Sequence, residues 1–349
     1  MNNIFRACGC LCFLYIGLFF GLTSLSAAPT GEIIFVHPIN RSEIWISNVE
    51  GTTARKLFRQ TFGDIDKIEV QENEEYVLVV ADKAIDVGND LQVFLGSYDI
   101  YLLDRKNPIR KAKNLTLGRF PLLIDADISR NGDVIFVERP GLMRIRNEEL
   151  AKPEPKIELL MDHGAMDIFD VVWSPDGKHI AFSAELGDLF LFDVATQDIF
   201  RLAQNVNSRP VFSPNGKQIA FSTVVERKGE WWTIAIAVAP VQPDADVKII
   251  HIKKDYSYGV HAWSPDGKFI AYGSYIDSSR IKNIELFRSR GNFVIPATGG
   301  EPEPILITMK DTVLSLDWDD KAYAVEPANA LVTTWSALKR RKTASSMWR

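Results

Sequence analysis

Val172-Trp173-Ser174-Pro175-Asp176-Gly177-Lys178-His179-Ile180-Ala181-Phe182-Ser183 decides the fold, because the chain repeats it twice. The second copy is Val211-Phe212-Ser213-Pro214-Asn215-Gly216-Lys217-Gln218-Ile219-Ala220-Phe221-Ser222. The third is Ala262-Trp263-Ser264-Pro265-Asp266-Gly267-Lys268-Phe269-Ile270-Ala271-Tyr272-Gly273. In each, Pro sets φ for a tight turn, Asp or Asn bonds the local backbone, and Gly accepts the positive φ that closes it. The flanking residues alternate apolar and polar as strands do, so each copy is a β-hairpin.

Working outward, weaker copies appear. Asp127-Ile128-Ser129-Arg130-Asn131-Gly132-Asp133-Val134-Ile135-Phe136-Val137 keeps the turn without its proline, and residues 68–79 keep only the apolar frame. Ile33-Ile34-Phe35-Val36 reads as a second strand without a first, and Val313-Leu314-Ser315-Leu316-Asp317-Trp318 as a first strand without a second. Third strands are expected at 43–46, 99–104, 142–145, 188–193, 233–237 and 284–287. Fourth strands follow at 55–58, 157–160, 199–202, 247–250 and 304–307. Four strands per unit at this spacing predict an all-β, six-bladed β-propeller, with blades at 31–60, 64–116, 120–161, 165–204, 205–252 and 256–308. The strand at 313–318 completes the first blade and closes the ring, which removes the open sheet edges.

Two stretches break the compact pattern. Residues 82–97 interrupt the second blade, and 223–232 bring Trp231 and Trp232 to a loop and strand start beside Glu226, Arg227 and Lys228. Adjacent tryptophans among charges suit an interface; burial inside the fifth blade is the alternative.

The ends differ in character. Residues 1–28 carry Arg6, an apolar run from Leu11 to Leu22, and small residues Ser24, Ser26, Ala27 and Ala28. This reads as a signal peptide cut before Ala27, giving a periplasmic or secreted protein. An uncleaved membrane anchor is the rival reading, although the run is short of the ~20 residues a bilayer needs. All three cysteines (Cys8, Cys10, Cys12) lie in this segment, so the mature chain is expected to lack disulfides, thiol catalysis and thiolate metal sites. The propeller is assigned to 29–326 and a tail to 327–349, whose Lys339, Arg340, Arg341 and Lys342 form a basic cluster. That cluster either docks on an acidic partner or membrane surface or is a solvated terminus.

Net charge is -5 with both signs mixed, which gives no general attraction to nucleic acid. The five histidines are scattered without ligand spacing, so neither a metal nor a cofactor is expected. Asp255-Tyr256-Ser257-Tyr258-Gly259 lacks the first glycine and the strand-turn-helix setting of a nucleophile elbow. Trp173, Phe212 and Trp263 recur at one repeat position, which marks them as packing between blades. Aligning the first strands brings Lys67, Asp125, Asp170, Arg209, Val260 and Ser315 to one level near the axis. Of these, Lys67, Asp125, Asp170 and Arg209, with His261 beside them and Trp231 and Trp232 in their loop, are the candidate partner-binding residues of the channel mouth and loops. The plain alternative is a solvated rim of mutually paired charges.

The Trp-Ser-Pro-Asp-Gly-Lys…Ile-Ala-Phe units resemble the repeats of the TolB C-terminal propeller and its WD40-like (PD40) relatives, over about 31–318. TolB carries a smaller α/β domain before its propeller, whereas here the repeats begin soon after the leader. The resemblance implies a monomeric periplasmic module that binds an envelope protein or peptide without catalysis. Related blades occur in prolyl-oligopeptidases, where a separate hydrolase domain does the chemistry. The alternatives are a lyase or hydrolase using Asp125, Asp170, Arg209 and His261 at the channel mouth on a glycan or small molecule, and a calcium-binding structural propeller.

Overall fold

The computed structural model describes residues 29–319, apart from 59–61, 72–74, 87–91, 277–287 and gaps of one or two residues. Residues 1–28, with the expected signal peptide, and 320–349, with the basic cluster, lie outside the described residues. Alternating apolar strands punctuated by Gly and Pro turns give a chain that is almost entirely β. Among the described residues the exception is one 3₁₀ turn, Asn147–Glu149, and no helix is long and apolar enough to cross a membrane.

Among the described residues, twenty-four strands form six antiparallel four-stranded sheets. The first blade contains β1 (Glu32–Val36), β2 (Ile44–Asn48) and β3 (Arg55–Lys56). The second has β4 (Ile65–Val70), β5 (Tyr76–Asp86), β6 (Gln92–Asp104) and β7 (Lys113–Asn114). The third has β8 (Ala126–Ile128), β9 (Val134–Glu138), β10 (Gly141–Ile145) and β11 (Glu158–Asp162). The fourth has β12 (Ile168–Trp173), β13 (His179–Ala184), β14 (Asp188–Asp193) and β15 (Ile199–Ala203). The fifth has β16 (Val211–Phe212), β17 (Gln218–Lys228), β18 (Trp231–Pro240) and β19 (Lys248–Ile252). The sixth has β20 (Tyr256–Trp263), β21 (Phe269–Ile276), β22 (Arg288–Pro296) and β23 (Glu303–Ile305).

The remaining strand, β24 (Leu316–Asp319), pairs with β1 in the register Glu32↔Asp319 to Phe35↔Leu316. It supplies the first blade's inner strand and closes the ring, as the repeat pattern predicts. Trp318 anchors the closure: it is 6% exposed and its Nε1 donates to the Thr30 carbonyl.

The repeat turns form as their residues require. Ser174 Oγ donates to Asp176, whose Oδ1 also accepts the Lys178 N–H, and Ser213/Asn215 and Ser264/Asp266 repeat the arrangement. Gly177, at φ +68°, closes the first of these turns in the left-handed region that glycine enters without strain. Every blade interface buries one apolar cluster. Trp173 packs with Ile135 and Val137 of the third blade, Phe212 with Leu191 of the fourth, and Trp263 with Ile236 and Val238 of the fifth. Each such aromatic contributes roughly 4–6 kcal/mol of gross burial, so these positions pack blades as their repetition implies.

Two expectations need correction. Residues 82–97 and 223–232 do not interrupt their blades with loops. Both lengthen a hairpin, β5–β6 and β17–β18, pairing as far as Asp86↔Gln92 and Lys228↔Trp231. Both stretches exceed the length of the strands in the other repeats, so the repeat pattern alone read them as insertions. The expected third strand at 284–287 falls outside the described residues, and the described strand is β22, carrying Phe293, Val294 and Ile295.

Candidate functional site

The first strand of each blade lines the central channel, and its two-residue period sends alternate side chains toward the axis. Two levels result. The deeper one lies three residues before the repeat aromatic: Lys67, Asp125, Asp170, Arg209, Val260 and Ser315. The outer one lies one residue before it: Glu69, Asp127, Val172, Val211, Ala262 and Asp317. It faces the end of the ring that carries the Ser-Pro-Asp-Gly turns.

The structure brings Lys67, Asp125, Asp170 and Arg209 together as a closed network. Lys67 Nζ lies 3.3 Å from Asp125 and 2.9 Å from Glu69. Asp125 also accepts the Val171 N–H at 2.9 Å. Arg209 pairs with Asp170 at 3.5 Å and with Asp66, and Asp170 accepts from Ser183 Oγ at 2.6 Å. Burial opposes the charge on Lys67 and Arg209, but the facing carboxylates overcome it and raise both pKa values above the ordinary. Whereas the Arg209, Asp170 and Asp66 side chains keep 29%, 21% and 33% of their surface, the Lys67–Asp125 half is not the solvated rim that charge pairing alone suggested, at 4% and 1% exposed. Charges so enclosed must pair, because an uncompensated one would cost several kcal/mol. Val260 adds no polarity, being packed in the interface between the fifth and sixth blades.

The same side chains stitch neighbouring inner strands. Asp125 and Asp127 accept from Val171 and Trp173 of the next blade. Ser315 and Asp317 likewise accept from Ile68 and Val70. Side chains thus substitute for the backbone ladder that inner strands of separate sheets cannot form.

His261 sits where β20 shifts register between Val260 and Ala262. Its Nε2 lies against Gly273, 3.0 Å from where a β-carbon would stand. Burial, followed by the Arg209 charge, pushes its pKa down to about 3, so it is neutral at physiological pH. Trp231 and Trp232 do not join this group. They open β18 at the far end of a hairpin that projects from the opposite face, and their side chains lie outside the described residues.

At the outer level the channel widens into a cavity of about 510 Å³, within the range of ligand sites. Its wall has two halves. Blades one to three contribute Asp317, Glu69 and Asp127; blades four to six contribute Val172, Val211 and Ala262. Pro175, Pro214 and Pro265 continue the apolar half outward, while Gln71 and Arg130 continue the polar half. Burial raises Asp317 to about 7, helped by the charge of Glu69. Burial and Glu69 also hold Asp127 well above the carboxylate range. Sequence alignment missed this level because it stopped at the deeper one; the two-residue step from Lys67 to Glu69, Asp125 to Asp127 and Ser315 to Asp317 was the available signal. Among the described residues no three His, Cys, Asp or Glu are grouped so that they could hold a metal ion.

No family model and no curated protein matches the chain. Among solved structures, the chain is similar to one in a nidogen/laminin complex, with a TM-score of 0.56 at 9% identity, covering 82% of this chain and 97% of that one. The β-propeller domain of Cps50 (Swd1) from Myceliophteria thermophila gives 0.48 at 13% identity, covering 80% and 87%. The tricorn protease gives 0.43 at 13%, covering 83% of this chain and 32% of that one. At such identities likeness bears on architecture alone; the strand order, six antiparallel four-stranded sheets with the ring closed by β24, makes the chain a six-bladed β-propeller.

Proposed function

We propose that the chain is an exported, non-catalytic propeller of the TolB-like kind that binds an envelope protein or peptide at the turn-face cavity. The observation that carries this reading is the division of labour along the channel. The deeper level is spent on its own ion pairs, while the outer level offers a cavity with polar capacity left over.

The acid–base alternative draws on Asp125, Asp170, Arg209 and His261. Arg209 is held fully charged and His261 neutral, and both carboxylates are engaged by cations and by N–H or O–H donors. A general acid or base needs a proton it can trade near the working pH, and neither Arg209 nor His261 offers one, so this set of four gives the acid–base reading little support.

The test is affinity capture of the tagged chain from crosslinked envelope extract, with wild type compared against Glu69→Gln and Gln71→Met after melts confirm that both variants fold. One or two proteins retained by wild type and lost by the variants support the reading. Capture that ignores the cavity variants, or returns nothing, overturns it.

A further inference from the structure

The outer cavity has more structure than a generic pocket. Its acidic arc spans three adjacent blades, and its apolar arc spans the other three. The polar arc also has an atom with nothing to bond. Gln71 is 3% exposed and lines the cavity; its Nε2 donates to the Arg130 carbonyl at 3.1 Å, and its buried Oε1 has no partner. An orphaned buried acceptor beside carboxylates calls for a donor. On the other wall, Trp173 is 6% exposed and its buried Nε1 is also unpartnered. Its repeat equivalents are satisfied, Trp263 by the Val211 carbonyl and Trp318 by Thr30.

We infer that this cavity receives a lysine side chain from an extended segment of the bound protein, its ammonium against Glu69, Asp127, Asp317 and Gln71, its stem along Val172, Val211 and Ala262. This rests on the binding reading above and names the chemistry of the ligand. A lysine stem favours apolar surface while its head seeks polar partners, which matches the two halves. Asp127 is already engaged by the N–H groups of Ile128 and Trp173, and Asp317 by those of Val70 and Trp318. The acceptor positions that remain are spread over three blades and suit the three diverging N–H bonds of an ammonium better than the planar fork of a guanidinium. The Trp173 indole N–H suits a backbone carbonyl of the segment. Four carboxylates, Glu69, Asp127, Asp317 and Asp319, line the cavity against one lining Arg or Lys side chain, Arg130, so an arriving positive charge is welcome. It would favour the ionised forms of Asp317 and Asp127, and binding should therefore release protons.

The test titrates N-acetyl-lysine methylamide into the chain, following the fluorescence of the tryptophans that line the cavity, alongside the norleucine and arginine analogues. The lysine probe should saturate near millimolar concentration, with norleucine at least about tenfold weaker. Glu69→Gln should weaken it about tenfold, and Gln71→Met, which removes the acceptor together with the Nε2 bond to the Arg130 carbonyl, about threefold. Raising pH from 6 to 8 should tighten binding by up to about tenfold as Asp317, which faces Glu69, Asp319 and the Val70 and Trp318 N–H groups, gives up its proton. Equal binding of norleucine, tighter binding of arginine, indifference to both variants, or no saturation below about 20 mM would each overturn the assignment. If cavity variants abolish partner capture but the lysine probe fails, the lysine assignment falls and the binding reading stands. If the probe binds while capture ignores the cavity, the reverse holds.

Discussion

Asp317→Asn tests whether the outer channel stores electrostatic strain. In the folded chain Asp317 is raised from 3.8 to about 7 by burial and by the charges of Glu69 and Asp319. The native state therefore holds this proton more tightly than the unfolded chain does. Stability falls as pH rises from about 4 to about 7, because the folded protein must pay to ionise a group the unfolded chain ionises freely. The difference of 7 − 3.8 sets a ceiling of about 4 kcal/mol at 1.36 kcal/mol per unit. The side chain borders an open cavity, so solvent screening should reduce this to about 2 kcal/mol. Asparagine carries no charge, and its one oxygen keeps only one of the bonds from the Val70 and Trp318 N–H groups; losing the other offsets the variant's stability by a similar amount at every pH, so the change with pH reports the charge. Urea unfolding of both proteins should show the variant gaining about 1–2 kcal/mol on wild type between pH 5 and pH 8. A constant difference between the two pH values, or one larger at pH 5, would refute the reasoning.

Gly273→Ala should destabilise by about 1–3 kcal/mol, since the new methyl would stand 2.4 Å from Thr312 Cγ2 and 3.0 Å from His261 Nε2; a melting temperature unchanged from wild type would contradict this packing. Arg105 and Asp319 form an ion pair whose side chains are 1% and 3% exposed. Arg105→Ala alone should cost about 3–5 kcal/mol by leaving a buried carboxylate short of its cation, and the double variant with Asp319→Ala should recover part of that loss; additive losses in a double-mutant cycle would show the pair to be uncoupled. Trp318→Ala should cost about 3–5 kcal/mol and speed proteolysis of the first blade, read by gel time course, because it empties the closure between first and last blades.

The fold was legible wherever the turn chemistry was intact. Three Ser-Pro-(Asp/Asn)-Gly copies fixed the hairpins, and unpaired strands at the two ends of the repeat array implied closure. The lengthened hairpins were not legible, because their strands run past the length set by the other repeats and so read as insertions. The deeper channel level followed from simple alignment, which placed Lys67, Asp125, Asp170 and Arg209 at one height. Sequence left open whether those charges were solvated, since enclosure depends on six blades converging. The outer level was within reach of the same alignment, but its meaning came from burial: Glu69, Asp127 and Asp317 look ordinary in sequence and become distinctive only with Val172, Val211 and Ala262 facing them. The bulge that seats His261 depends on Gly273, where the other repeats carry Ser183 and Ser222.

Pairing Glu32 with Asp319 also sets a clock. A ribosome adding ~5–20 residues each second takes roughly a quarter of a minute to a minute to travel between those positions. Throughout that interval the inner edge of β1 has no mate, however well the intervening blades have formed. A nascent chain therefore shows any chaperone or transport factor an exposed, strongly apolar strand, Ile33-Ile34-Phe35-Val36, until almost the last of the ring has been made.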